Sequence, residues 1–402
     1  MAKFKRQQGF TLTEVLIALV LGIFLIGIVL TIFASSQSTF RASTEVSRSQ
    51  ENTRFAFSFL TRNIRSAGYT NCSNDVSVRN FLNFDSDAYI PSIEHAVFGW
   101  EFGGTDIGQT YILDYQSLSD PFTAAELTTA QAANTAGAAS WDSQFIRSAT
   151  NVAPTAVNLP ATIAGFEPIV GSDIIAASIS TPLDIYVDDQ PGQTGLLLPV
   201  VDIDGNTPAA SNVETGEILK IADCSSIDIF QNTADISDAF ISIADSGSPG
   251  NDLNASFRWQ KSWGQDSTIY SVDTNIFFVG TGQGGIPSLY QYSSSCGING
   301  GCGATAVELV EGVENMQVLY GQDSNGDGVV NSYVSADQVN NYANVKSVKI
   351  GLLVRSPDIG KATPIDNTLT YTLLDSTVID PPNDNFLRYV SNSTIHLRNT
   401  GL

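Results

Sequence analysis

The run Asp323-Ser-Asn325-Gly-Asp327-Gly328-Val329-Val-Asn331 carries oxygen donors at the spacing of a Ca²⁺ loop. Side-chain oxygens fall at loop positions 1, 3 and 5, Gly328 at position 6 allows the sharp turn, and a backbone carbonyl and an amide follow at 7 and 9. Ca²⁺ takes six to eight such oxygens, so the spacing predicts one weak structural Ca²⁺ site held by Asp323, Asn325, Asp327, Val329 and Asn331. An EF-hand closes its shell with a bidentate Glu at position 12, where this chain has Val334; Asp337 or a water would have to serve instead. A plain Asp/Asn/Gly turn between strands is the competing expectation. Asp202-Ile-Asp204-Gly205-Asn206 has fewer donors and reads as a turn.

Other chemistry finds little support. Gly280-Thr-Gly282-Gln-Gly-Gly285 has the spacing of a dinucleotide-binding loop, but that loop must open a helix. Here Ile286-Pro287 leads into the strand-like Ser-Leu-Tyr-Gln-Tyr292, so a hairpin is expected and no organic cofactor. His95 and His396 stand alone, and neither a Gly-x-Ser-x-Gly elbow nor a Cys–His pairing is present. No catalytic residue is assigned and the chain is not expected to be an enzyme.

Cys72, Cys224, Cys296 and Cys302 lack the Cys-x-x-Cys spacing of a zinc site. Four thiols allow three pairings. The Gly-rich stretch from Cys296 to Cys302 looks like a locally closed loop, which leaves Cys72 with Cys224 as a long-range staple. The formal charge of −22 disfavours nucleic acid as a partner.

The elements that must position these groups begin with a membrane-length run. Lys3, Lys5 and Arg6 form a basic head, and Val15 to Ala34 is apolar over about the 20 residues that cross ~30 Å of hydrocarbon. The basic flank implies that the remainder lies outside the cytoplasm, where disulfides persist. A secretory signal would have a shorter core and a small-x-small cleavage site, but Ile32-Phe33-Ala34 places bulky residues there. Glu14 stands on the threshold of the apolar run, where a carboxylate needs a partner and a purpose. Gly22 and Gly27 read as ordinary glycines of a membrane helix.

Residues 35 to 67 contain neither Pro nor Gly, Arg62 and Arg65 suit a helix C-terminus, and Gly68 suits its cap. A helix over 10–67 is predicted, roughly 87 Å long, with Phe55, Phe59 and Ile64 near one face. Beyond Asn71, short apolar runs between turn residues predict strands at 173–179, 216–221, 227–231, 275–279, 288–292, 313–320, 345–354 and 394–398. The Ala/Thr-rich stretch within 122–140 reads as an insertion. The fold class is α+β: a long N-terminal helix followed by a large, mostly antiparallel β-rich head.

Gly9-Phe10-Thr-Leu-Thr-Glu14 closely resembles the prepilin signal of type IV pilins and type II secretion pseudopilins. The stretches Ala306 to Tyr333 and Asn344 to Arg355, with Ala67-Gly-Tyr69 and Ala222-Asp-Cys224, resemble the PilW family of minor pilins, while 75–165 is unmatched. The resemblance implies cleavage between Gly9 and Phe10 by prepilin peptidase, N-methylation of Phe10, and an assembly contact of Glu14 with an N-terminal amine. It divides the chain into a leader at 1–9, a transmembrane helical part at 10–34, an extramembrane helical part at 35–68 and a head at 69–402. It further implies a subunit that starts in the inner membrane with its head in the periplasm and ends at the fibre tip. There it primes type IV pilus assembly for twitching motility or cell adhesion. Its partners would be other minor pilins, the major pilin, the inner-membrane assembly platform and a large tip adhesin. The alternatives are a pseudopilin at the tip of a type II secretion pseudopilus and a pilin-anchored adhesin or binding module.

Overall fold

The computed structural model describes residues 11–69, 76–83, 91–113, 141–142, 144–145, 155–156, 159, 161–188, 196–209, 213–236, 239–253, 259–282, 285–294, 296–297, 301–302, 305–356, 369–381 and 386–399. The Ala/Thr-rich stretch at 122–140 and the prepilin junction Gly9–Phe10 lie outside them.

A single helix, Leu12–Ser66, carries the N-terminal part. With no proline anywhere in it, the backbone runs unbroken for 55 residues, roughly 83 Å. Thr11 caps its start and Arg65 complements the negative end of the dipole. Beyond the C-cap Ala67, Gly68 turns the chain at φ +70° and donates its N–H to the carbonyl of Ser178 at 3.0 Å. A Cβ at Gly68 would stand 2.5 Å from that of Ala96, so the position needs glycine for its backbone and for its space.

Among the six sheets of the described residues, the two largest build the head. The larger has nine strands, ordered Ser77–Asn80, Ser226–Gln231, Ile218–Ala222, Thr268–Thr281, Ile174–Pro182, Val97–Phe102 and Trp141–Asp142. Its other two strands, Pro287–Ser293 and Thr305–Glu311, extend from the second half of Thr268–Thr281. The smaller C-terminal sheet is ordered Ser332–Val334, Val313–Gln322, Val345–Arg355 and Arg388–His396, all antiparallel. Every residue of Val313–Gln322 is buried. The main core joins Leu60 and Ile64 of the helix to Phe98, Ile175 and Phe277 of the large sheet and to Val318, Ile350 and Leu352 of the C-terminal sheet. A smaller core around Leu198, Phe230 and Trp263 fills the far side of the large sheet.

All eight expected strands are present with shifted ends. The one expected at 275–279 is the middle of Thr268–Thr281, fourteen residues long. The one expected at 394–398 is the end of Arg388–His396, whose polar centre Ser391-Asn392-Ser393 hides it as a half-exposed edge strand. Val97–Phe102 is an additional strand, buried on both faces and lacking the alternation that marks a half-buried strand.

The expected helix face is corrected. Ile64 is buried, but Phe55 and Phe59 are 52% and 38% exposed. The inward stripe is Ser49, Thr53, Ala56, Leu60, Asn63, Ile64 and Ala67. Each phenylalanine precedes a member of that stripe by one residue, about 100° around the helix. Small residues let the helix backbone approach the sheets closely, whereas phenylalanine at Ala56 would hold it away.

Candidate assembly site: the helix and its seat on the head

At the start of the helix, Thr11 and Glu14 form a capping box. The Thr11 N–H donates to Glu14 Oε2 at 2.9 Å, Thr11 Oγ1 donates to the same oxygen at 3.0 Å, and the Glu14 N–H donates to Thr11 Oγ1 at 3.4 Å. Among the described residues Oε2 takes both of these bonds and Oε1 takes none, on an exposed side chain. Glu14 can therefore cap its own helix and accept from a further cation.

From Leu12 to Phe33 the large apolar side chains are exposed, and the helix is long and apolar enough to cross a membrane. The hydroxyl of Thr31 donates to the Gly27 carbonyl at 2.7 Å, so that side-chain donor is satisfied within the helix. No described atom lies within 4 Å of a Cβ placed at Gly22 or Gly27.

The other half of the helix is seated by apolar and polar contacts together. Leu60 and Ile64 are fully buried, each worth about 1.5–3 kcal/mol of transfer free energy. Asn275 donates to the Asn63 side chain at 2.9 Å, Asn52 donates to the Glu311 carbonyl at 3.1 Å, and Asn399 donates to the Ala67 carbonyl at 3.0 Å. Lys220 reaches the Tyr69 carbonyl at 2.5 Å and Ser180 Oγ at 2.6 Å, beside a cavity of about 280 Å³; burial pulls its amine down to about 8.

A buried ion pair and a buried carboxyl brace this seat. Arg388 meets Glu314 through Nε at 2.6 Å and Nη2 at 2.9 Å, crossing the C-terminal sheet over Val345–Arg355. Burial pushes the Glu314 carboxyl up, but the charge and hydrogen bonds of Arg388, with Arg355 behind, outweigh it and hold it below the usual carboxylate range. Asp173 links the two sheets. Its carboxylate accepts the N–H of Phe102 at 3.1 Å and of Val318 at 2.8 Å, and its own N–H donates to the Met316 carbonyl at 2.8 Å. Burial pushes Asp173 up to about 7 against those lowering hydrogen bonds, and pushes neighbouring Glu101 well up, reinforced by the Asp173 charge.

The remaining expected sites separate from the seat. Gly280 to Gly285 closes an antiparallel hairpin with Thr281 opposite Pro287, not a strand-to-helix turn. Asp323 begins the loop between Val313–Gln322 and Ser332–Val334, and its carboxylate accepts the N–H groups of Gly326 at 2.7 Å, Asp327 at 3.2 Å and Gly328 at 2.8 Å. Asn325 donates to Asp327, and Asn331 accepts from the Ser324 N–H. Asp202 accepts the N–H groups of Asp204 and Asn206, as a turn requires. Among the described residues no three His, Cys, Asp or Glu side chains cluster as metal ligands. Cys224 sits in the turn after Ile218–Ala222 and is disulfide-bonded, Cys296 is the cross-strand partner of Cys302, and Cys72 lies outside the described residues.

Sequence reasoning missed Asn63, Lys220, Asn275, Glu314, Arg388 and Asn399. A buried-side polar residue in the last helical turns, such as Asn63, was the one local signal available.

A long apolar N-terminal helix seated on a sheet-rich, mostly antiparallel head defines an α+β pilin-like fold. The family described as type IV pilus-assembly protein W matches residues 276–399, and the prokaryotic N-terminal methylation motif matches residues 4–33. These matches agree with the resemblance read from the sequence at its two ends, to the PilW family and to a prepilin signal, while Ala67-Gly-Tyr69 and Ala222-Asp-Cys224 lie outside them. The matches indicate a structural component of the type IV pilus that works with the membrane and the pilus machinery. No curated protein and no solved structure matches the chain.

Proposed function

We propose that this chain is a non-catalytic minor pilin that helps prime type IV pilus assembly and sits at the pilus tip. The observation that carries the reading is one continuous helix with two environments: its bare half is long enough for a membrane, and its other half is locked onto strands of the family-matched region. Force or position imposed on the helix would pass directly to the head. Before assembly the helix anchors the chain in the inner membrane with its head in the periplasm. Prepilin peptidase cuts between Gly9 and Phe10, Phe10 is methylated, and Oε1 of Glu14 accepts from the N-terminal amine of a neighbour. The expected neighbours are other minor pilins and the major pilin on the inner-membrane platform, with a tip adhesin beyond.

Two structural features belong to the same reading. Disulfides Cys72–Cys224 and Cys296–Cys302 staple the head, supported by the bonded state of Cys224 and the register of the second pair. The loop at Asp323, Asn325, Asp327, Val329 and Asn331 takes one Ca²⁺, supported by ligand spacing and by the backbone hydrogen bonds that orient Asp323. Terbium luminescence on the wild type and Asp327→Ala tests the metal; equal signals would remove it.

The functional test is a deletion strain complemented with wild type or Glu14→Ala. Loss of twitching with protein secretion intact, and failure of the variant to enter pili, are expected. Lost secretion with normal twitching would place the chain in a pseudopilus instead.

A further inference from the structure

The face of the helix turned away from the head carries a stripe of its own. Following Glu51, residues Arg54, Phe55, Phe59, Arg62 and Arg65 recur at helical spacing, all exposed, and Tyr69 continues the line at 40% exposure. Residues 52–68 contain three arginines and no acidic residue, whereas residues 69–402 contain 38 acidic and 11 basic side chains. Arginine and aromatic residues are the types enriched at the buried centres of protein interfaces. Two exposed phenylalanines between arginines that pair with no described residue are therefore poorly accounted for as a solvated face.

Lipid headgroups do not suit this patch. At 1.5 Å per residue it stands roughly 30–46 Å beyond Ala34, well outside a headgroup layer about 5–8 Å deep. An acidic protein surface suits it. A subunit of this build offers one in its head, and a stagger of two such subunits along the helix axis would bring that head beside the patch. Patches at equal height would repel, so the contact is head-to-helix and repeats along an assembly without closing on itself.

We propose that Arg54, Phe55, Phe59, Arg62 and Arg65 form the docking surface for the acidic head of a neighbouring pilin-type subunit. The inference rests on the pilin reading above.

The test places a photo-reactive benzoylphenylalanine at Phe59 of the full-length chain in piliated cells, and separately at Val29 in the apolar half, with adducts mapped by mass spectrometry. The expected adduct from position 59 lies in an acidic head segment of a protein bearing a prepilin signal, a second copy of this chain included. It should fall at least tenfold when Arg54, Arg62 and Arg65 are all changed to Glu, and persist when all three are changed to Lys. The single Arg62→Glu serves if the triple change reduces protein level. An adduct to lipid, to a protein without the signal, or one indifferent to charge reversal would overturn the proposal. Capture of pilin-type subunits from Val29 but none from Phe59 would sink the docking surface and leave the pilin reading standing; capture from neither position would remove both.

Discussion

One helix lives in two environments, and the contrast between its halves shows what each level of physics decides. From Leu12 to Phe33 the leucines, isoleucines, valines and phenylalanines are all exposed, and none belongs to a core among the described residues. From Ser49 to Ala67 the inward stripe is made largely of small or polar residues, with Leu60 and Ile64 as its large members. Backbone hydrogen bonding makes both halves helical, but only side-chain size and pairing make one of them dock. Hydrophobicity alone would have selected the wrong half, and within the second half it would have selected Phe55 and Phe59.

The largest expected effect strikes the brace under the docked half. Glu314→Ala removes the carboxylate that faces the buried Arg388 guanidinium and should cost the full-length protein about 3–5 kcal/mol in urea unfolding in detergent. Leu60→Ala should cost about 2–5 kcal/mol, whereas Leu25→Ala in the bare half should leave head stability within about 0.5 kcal/mol of wild type. Equal losses at positions 60 and 25 would erase the distinction between the halves.

Asn63→Leu sharpens the comparison on its polar side. It strands the Asn275 amide under the helix and should cost about 1–3 kcal/mol; no loss would mean that apolar contact alone seats the helix.

A pH effect comparable in size to the Asn63 loss follows from Asp173. The folded Asp173 carboxyl titrates near 7 and the unfolded one near 3.8, so between those values the folded state binds more protons. Its contribution to stability is full below about pH 4 and is lost as pH rises towards 7, by no more than about 1.4 kcal/mol per pH unit. Unfolding of wild type and Asp173→Asn at pH 4.5 and 7 should show the variant falling less over that interval. Parallel changes in the two proteins would show that Asp173 does not titrate there.

Much of this architecture was legible because its signals are local. A stretch free of Pro and Gly ending in Arg65 and Gly68 gave helix limits within two residues of Leu12–Ser66, and Val/Ile-rich runs located strands such as Val345–Arg355. The seat was not legible because its contacts join residues far apart in the chain. Asn63 with Asn275, Asn52 with Glu311 and Ala67 with Asn399 have no mutual sequence signal. Asp173 looked like the first residue of a strand, yet it ties Phe102 to Val318 across two sheets. Val97–Phe102 escaped because a strand buried on both faces loses its alternation, and Glu101 within it imitates an exposed residue.

Everything proposed for the bare half presumes that the chain is processed as a pilin. Intact and N-terminal peptide mass spectrometry of the protein purified from its own cells tests this most directly. The account predicts a mature chain beginning at Phe10 with a methylated α-amine and no trace of residues 1–9. A chain retaining Met1 to Gly9, or one cut beyond Ala34, would contradict it.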